Sequence, residues 1–203
     1  MTEIRIYVEG GGDSGDNRAR LRQGLSSFFN SVVAIARVKR VHWNIIPCGS
    51  RQSCYEDFCN ALISHPTAFN ILLVDSEFPV EGGRCDHLRN HDKWPIAFSE
   101  NHCHLMAQTM ESWLIADRST MQSYYGSRFQ DSAIPNIADV EQIAKSDLEK
   151  ALYSATRHTQ KGEYHKIQHG AELLKLIDPI LVRQRARHCE ILFSTLEEHL
   201  DNI

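Results

Sequence analysis

Four carboxylates stand where this chain can deliver them to one place. Glu9 ends the alternating run Ile4-Arg5-Ile6-Tyr7-Val8 and is followed by Gly10-Gly11-Gly12. Asp75 and Glu77 close a second run, Asn70-Ile71-Leu72-Leu73-Val74, and Glu111 comes shortly after a third, Leu105-Met106-Ala107-Gln108. Short apolar runs bounded by glycine or polar residues read as buried strands. In an open α/β sheet, ligands bind beyond the carboxyl ends of the strands. If the first two runs are parallel neighbours, Glu9, Asp75 and Glu77 meet there, and alternation along an extended chain turns Asp75 and Glu77 to the same side. Carboxylates crowded together raise each other's pKa unless a cation is present. Magnesium takes hard oxygen ligands, often one or two carboxylates plus substrate phosphates. The expected cofactor is therefore magnesium or manganese, held by Glu9, Asp75 and Glu77. Glu111 either assists at that centre or supplies favourable charge at a helix amino terminus.

The elements that must position these residues follow from periodicity. A glycine-rich acidic loop after Glu9 leads to a helix carrying Leu21, Leu25, Phe28 and Phe29 at helical spacing, with Asp16 or Asn17 as its cap. Asp13 and Asp16 read as solvated loop acids. Val41–Pro47 reads as a strand, and Ser53-Cys54-Tyr55-Glu56 has capping-box form before a helix that ends at His65-Pro66. Prolines and glycines make residues 78–100 read as loop. A helix opens at Glu111, and Asp117, roughly 600° further around it, is expected to cap the next one. Ser146-Asp147-Leu148-Glu149 is another capping box, and helical periods from Leu173 to Leu200 fill the tail. This order predicts an α/β fold: a parallel sheet of about four strands flanked by helices (residues 1–125), and a helical carboxyl-terminal extension packed on it (residues 126–203).

Composition narrows the setting. Apolar content of 42% and charged content of 24% are ordinary for a globular chain, and a net charge of −4 does not suggest wrapping of nucleic acid by bulk electrostatics. No apolar run is long enough to span a bilayer, and the start reads as a strand rather than a signal peptide. Six cysteines without framework spacing read as reduced thiols in a cytoplasmic protein.

Val8-Glu9-Gly10 together with Leu73-Val74-Asp75-Ser76-Glu77 resembles the Toprim pattern of topoisomerases, primases and overcoming-lysogenization-defect nucleases. That pattern has Glu-Gly after the first strand and Asp-x-Asp after the third; Glu77 replaces the second Asp, keeping the charge and lengthening the reach. Met110-Glu111-Ser112-Trp113-Leu114-Ile115-Ala116-Asp117, with Glu9-Gly10, is similar to a family of uncharacterised bacterial Toprim-like proteins. Its members often sit in defence loci beside an ATPase. The likeness spans roughly residues 4–117 through its motifs, and the tail more loosely. It implies a Toprim-like, Rossmann-like sheet and a metal-dependent nuclease acting on DNA or RNA, with anti-phage defence as a setting. Glu9, Asp75, Glu77 and Glu111 are then the catalytic set: Glu9 in acid/base work and metal contact, Asp75 and Glu77 on the ion. It equally implies a rival, a non-catalytic or partner-activated subunit of an ATPase complex. Whether one ion or two, and whether the chain forms homo-oligomers, stays open at this level.

Such a site needs cations for its polyanionic substrate. The candidates are Arg18 and Arg22 after the first loop and Lys161, Lys166, Arg183 and Arg187 in the tail, the last two spaced to share a helix face. Gly10–Gly15 literally fits G-x-G-x-x-G, but no acid ends the second strand, and Glu9, Asp13 and Asp16 would repel a pyrophosphate. No Lys-Ser/Thr follows the glycines, so a P-loop fails. Cys85, His87, His91, His102, Cys103 and His104 are zinc-ligand types at spacings of no standard finger.

Overall fold

The computed structural model describes residues 2–203. Strands β1 (Glu3–Glu9), β2 (His42–Gly49), β3 (Phe69–Asp75) and β4 (Cys103–Met106) form one parallel sheet in the order β2-β1-β3-β4. Helices α1 (Gly15–Phe28) and α2 (Asn30–Val38) follow β1, α3 (Arg51–Ser64) follows β2, and α4 (Arg84–His91) precedes β4. Helices α5 (Glu111–Ala116), α6 (Arg118–Tyr125), α7 (Lys145–Thr156), α8 (Lys166–Leu174), α9 (Pro179–Arg185) and α10 (Arg187–Asp201) complete the chain. The α/β class and the four-stranded parallel sheet agree with the reading of the sequence.

The near-continuous apolar runs are explained by burial on both faces, the usual state of a parallel sheet. Successive side chains alternate sides. Ile4, Ile6, Val8, Ile71 and Leu73 enter the larger core, with Leu25, Phe28, Trp113 and Phe193 from the helices. Tyr7, Leu72, Val74 and Leu105 enter the smaller, with Cys54, Phe58 and Leu88 from α3 and α4. Phe28 stacks on Trp113 at 5.1 Å between ring centroids, and Phe193 of α10 meets Phe28 edge-on at 5.6 Å. The larger core runs from Ile4 to Leu200, so the tail helices share it with the sheet.

Several local expectations are corrected. α1 begins at Gly15 with Ser14 at its N-cap and no side-chain cap, leaving Asp16 in the first turn. α3 is capped by Ser50, whose Oγ accepts from the Ser53 amide at 3.1 Å; the helix therefore opens at Arg51, ahead of the Ser53 box. α7 starts at Lys145 without a side-chain cap. The stretch 78–100 is not all loop, since α4 lies within it. β4 is displaced two residues toward the amino terminus. His104 is fully buried there with Nε2 on the Asn101 carbonyl at 3.1 Å, which hydropathy does not reveal. Arg183 and Arg187 do not share a helix: α9 ends at Arg185 and α10 starts at Arg187. Asp117 does cap α6, accepting from the Thr120 amide at 3.1 Å. The six cysteines are unpaired, and no helix among the described residues is long and apolar enough to cross a membrane.

Gly24 decides how closely α1 lies on α8: a Cβ there would stand 2.6 Å from the Ala171 carbonyl oxygen. Alanine would gain about 1 kcal/mol of helix propensity, against about 1–3 kcal/mol for overpacking onto backbone. Gly24→Ala should therefore lower stability by about 1 kcal/mol in urea unfolding. An unchanged or raised midpoint would show that α8 is free to move away.

Candidate metal centre

β1 lies between β2 and β3, so the chain runs to opposite sides of it, and the crevice at that switch is where an open α/β sheet binds ligands. Val8 is level with Leu73 across the β1–β3 pair, which brings Glu9 and Asp75 to the same edge. Gly10, Gly11 and Gly12 have φ of 121°, 82° and 57°, left-handed values that side chains disfavour. The chain thereby turns away at once, and Gly10 exchanges two backbone hydrogen bonds with Gly49.

Asp75 is only 3% exposed. Its Oδ1 accepts from the Met110 amide at 2.9 Å and its Oδ2 from Lys166 Nζ at 3.0 Å. Burial is the main reason its pKa is pushed up to about 7; Lys166 opposes the rise, while Glu111 and Glu9 add to it. Burial works against the Lys166 charge, but Asp75 and Glu111 outweigh it and hold the ammonium above its ordinary range. Glu111, also buried, has Oε2 at 3.5 Å from Lys166 Nζ and accepts at Oε1 from the Tyr164 hydroxyl at 2.9 Å. Burial and that neighbouring carboxylate push the Tyr164 phenol well up, so it stays a proton donor.

Glu77 arrives differently from the expectation. The strand ends at Asp75, and Glu77 has a φ of 65°, so a left-handed turn and not strand alternation brings its carboxylate round. Its amide is held by the Gln108 carbonyl at 2.9 Å and its Oε2 pairs with Lys145 Nζ at 2.5 Å. Arg51, opening α3, joins the remaining parts: its guanidinium donates to Glu9 Oε2 at 2.9 Å, to the Asp75 carbonyl, and to both oxygens of Asp92 at 2.6 and 2.9 Å. Burial opposes this charge, but Asp92 and Glu9 prevail and raise its pKa further.

One carboxylate oxygen from each of Glu9, Asp75 and Glu77 lies within 4.8 Å of the other two. In an octahedral magnesium shell neighbouring oxygens stand about 3 Å apart and opposite ones about 4.2 Å, so the three carboxylates would draw closer together to seat the ion. All three donors are hard oxygens, and a cleft of about 110 Å³ lined by Glu9, Gly10, Asp75, Met110 and Lys166 leaves space for its waters or a phosphate. The donor set fits magnesium or manganese.

The expected cations divide sharply. Lys166 alone among them touches the acids. Arg18 braces the glycine loop through the Gly12 carbonyl and Arg22 binds the Ile45 carbonyl, each at 2.9 Å. Lys161 sits over the Tyr124 ring at 4.2 Å, and Arg183 is committed to Glu190 and Glu197. Arg187 is exposed at the start of α10. The Cys/His residues do not gather as a zinc site among the described residues. His87 bonds the Ser76 carbonyl at 2.8 Å, His91 stacks on Phe78, His102 bonds the Asn70 carbonyl at 2.6 Å, and Cys85 and Cys103 are buried. Sequence reasoning missed Arg51, Asp92, Lys145 and Tyr164. Only Arg51 carried a signal, for it follows the carboxyl end of β2 directly.

The model of one family, a domain of unknown function (DUF4276), matches residues 8–197, and the chain belongs to that family. No curated protein and no solved structure matches it.

Two outcomes follow from this geometry. A carboxyl whose pKa is higher folded than unfolded stabilises most when protonated, so its contribution is lost as pH rises from about 4 through about 7. In chelator, Asp75→Asn should therefore gain stability relative to wild type as pH rises from about 4 to about 7 and level off above that, while the Lys166 charge stays constant. A pH-independent difference between the two melting curves would refute the raised pKa. Arg51→Ala, which strands Glu9 and Asp92 together, should cost about 3 kcal/mol in denaturant unfolding; a loss below about 1 kcal/mol would mean that solvent screens the network.

Proposed function

We propose that this DUF4276 protein is a magnesium- or manganese-dependent, Toprim-like nuclease of the cytoplasm that cleaves phosphodiesters in DNA or RNA, with anti-phage defence as its setting. The observation that carries the reading is the meeting of Glu9, Asp75 and Glu77 within 4.8 Å at the switch point of the sheet. Asp75 and Glu77 would hold the ion, Glu9 would share it or shuttle a proton, and Glu111 would assist by holding Lys166. When bound, the ion polarises the scissile phosphate and lowers the pKa of a bound water. Lys166 and Lys145 are the charges now balancing Asp75 and Glu77. Relieved of that task, their ammonium groups are free to turn to substrate phosphates. The buried surroundings of Asp75 strengthen each of these interactions. Arg51 keeps Glu9 and the end of β3 in register throughout.

One observation favours a second reading. Each acid already has a cation of its own, Arg51 for Glu9, Lys166 for Asp75 and Lys145 for Glu77. That network can hold the fold without an ion, as in a non-catalytic or partner-activated subunit of an ATPase complex.

Plasmid, single-stranded DNA and tRNA incubated with magnesium, manganese or chelator separate the two. The nuclease should cleave with at least one metal, stop in chelator, and lose about 100-fold or more in rate in Glu9→Gln and Asp75→Asn. Intact substrates under every metal, with no manganese binding by calorimetry, would end the proposal. A stable complex with an ATPase would then favour the second reading.

A further inference from the structure

We propose that the face of α7 beside the acids is a subsite for an unpaired nucleobase, stacked on Tyr153, so that the preferred substrate is single-stranded nucleic acid. This rests on the nuclease reading and names its substrate class.

Lys145, Glu149 and Tyr153 are each four residues apart and line one side of α7, while Leu148, Ala151, Leu152 and Ala155 bury the other. The stripe leads away from the acids. Lys145 pairs with Glu77 at one end, and Tyr153 stands eight residues on, about 12 Å along the helix. A cleft of about 220 Å³ joins the two ends, lined by Glu111, Lys145, Glu149, Tyr153, Tyr164 and Lys166. Lys166 also lines the cleft at Glu9 and Asp75, so the two spaces meet at its ammonium.

Aromatic exposure marks the same place. Among the described Phe, Tyr and Trp side chains, only Phe78 and Tyr153 are exposed, at 53% and 48%. Phe78 borders a further cleft shared with Glu77, Lys145 and Glu149. Both rings that the fold leaves uncovered thus flank Lys145. The Arg157 guanidinium lies over the Tyr153 ring, 5.5 Å from its centroid, so a base takes the opposite face or displaces it.

Glu149 and Glu111 line the Tyr153 cleft and would repel a phosphate there, whereas a base edge carries N–H donors that a carboxylate accepts. A base between Tyr153 and these acids places its phosphates toward Lys145 and Lys166. Inside a duplex both faces of a base are already stacked, so only an unpaired base can use the platform.

The test is anisotropy of end-labelled short DNA and RNA oligonucleotides, single-stranded and as blunt duplexes. Wild type is measured in chelator and Glu9→Gln in magnesium, each also carrying Tyr153→Ala or Tyr153→Phe. Single strands should bind more tightly than duplex. Tyr153→Ala should weaken single-strand binding about tenfold with an unchanged melting curve, and Tyr153→Phe should restore it. Equal binding of single strands and duplex, full affinity in Tyr153→Ala, or binding in neither arm would overturn the subsite. Because binding is read without turnover, a protein that holds single strands through Tyr153 but cleaves nothing fails as a nuclease alone. One that cleaves duplex, with Tyr153→Ala still binding fully, fails in the subsite alone.

Discussion

Asp75 is a carboxylate taken almost wholly out of water at the end of a strand that is itself buried on both faces. Such a group is costly to keep charged unless cations and hydrogen-bond donors surround it. Much of what lies nearby answers that requirement. The Met110 amide is turned onto Oδ1, Lys166 reaches across from α8 to Oδ2, and Arg51 fixes the backbone carbonyl of the same residue. Burial above all, with Glu111 and Glu9 adding to it, lifts the Asp75 pKa despite the lysine.

That demand explains why the tail helices are placed as they are. The sheet and its flanking helices supply the acids, whereas most of the balancing cations come from beyond residue 126. Lys145 opens α7 and Lys166 opens α8, with Tyr164 just ahead of it. α8 reaches the site because it lies close against α1, an approach that depends on the missing side chain of Gly24. α10 holds the assembly together through Phe193, which packs on Phe28 and Phe29. Packing in the core and electrostatics at the sheet edge are in this way coupled through one helix.

How much of this was legible differs by level. The strands were readable because burial on both faces leaves continuous apolar runs, and their parallel order follows from alternation with helices. The acids were readable because they interrupt those runs at their carboxyl ends. Helix starts were less so: Ser50, not Ser53, caps α3, and two of the expected caps bond nothing in the helix. Caps depend on the local turn, which residue type alone does not specify. Glu77 was placed correctly by wrong geometry, since a left-handed turn brings it to Asp75.

By itself, the sequence determined the class of fold and the positions of Glu9 and Asp75 at strand ends, because periodicity and termination are local properties of a chain. The tertiary structure decided which cation meets which acid. Six basic residues looked alike as candidates, and only Lys166 reaches the centre, while Arg51 and Lys145 arrive unannounced. Long side chains pair according to distances between elements far apart in the chain, and those distances exist only once the cores have packed.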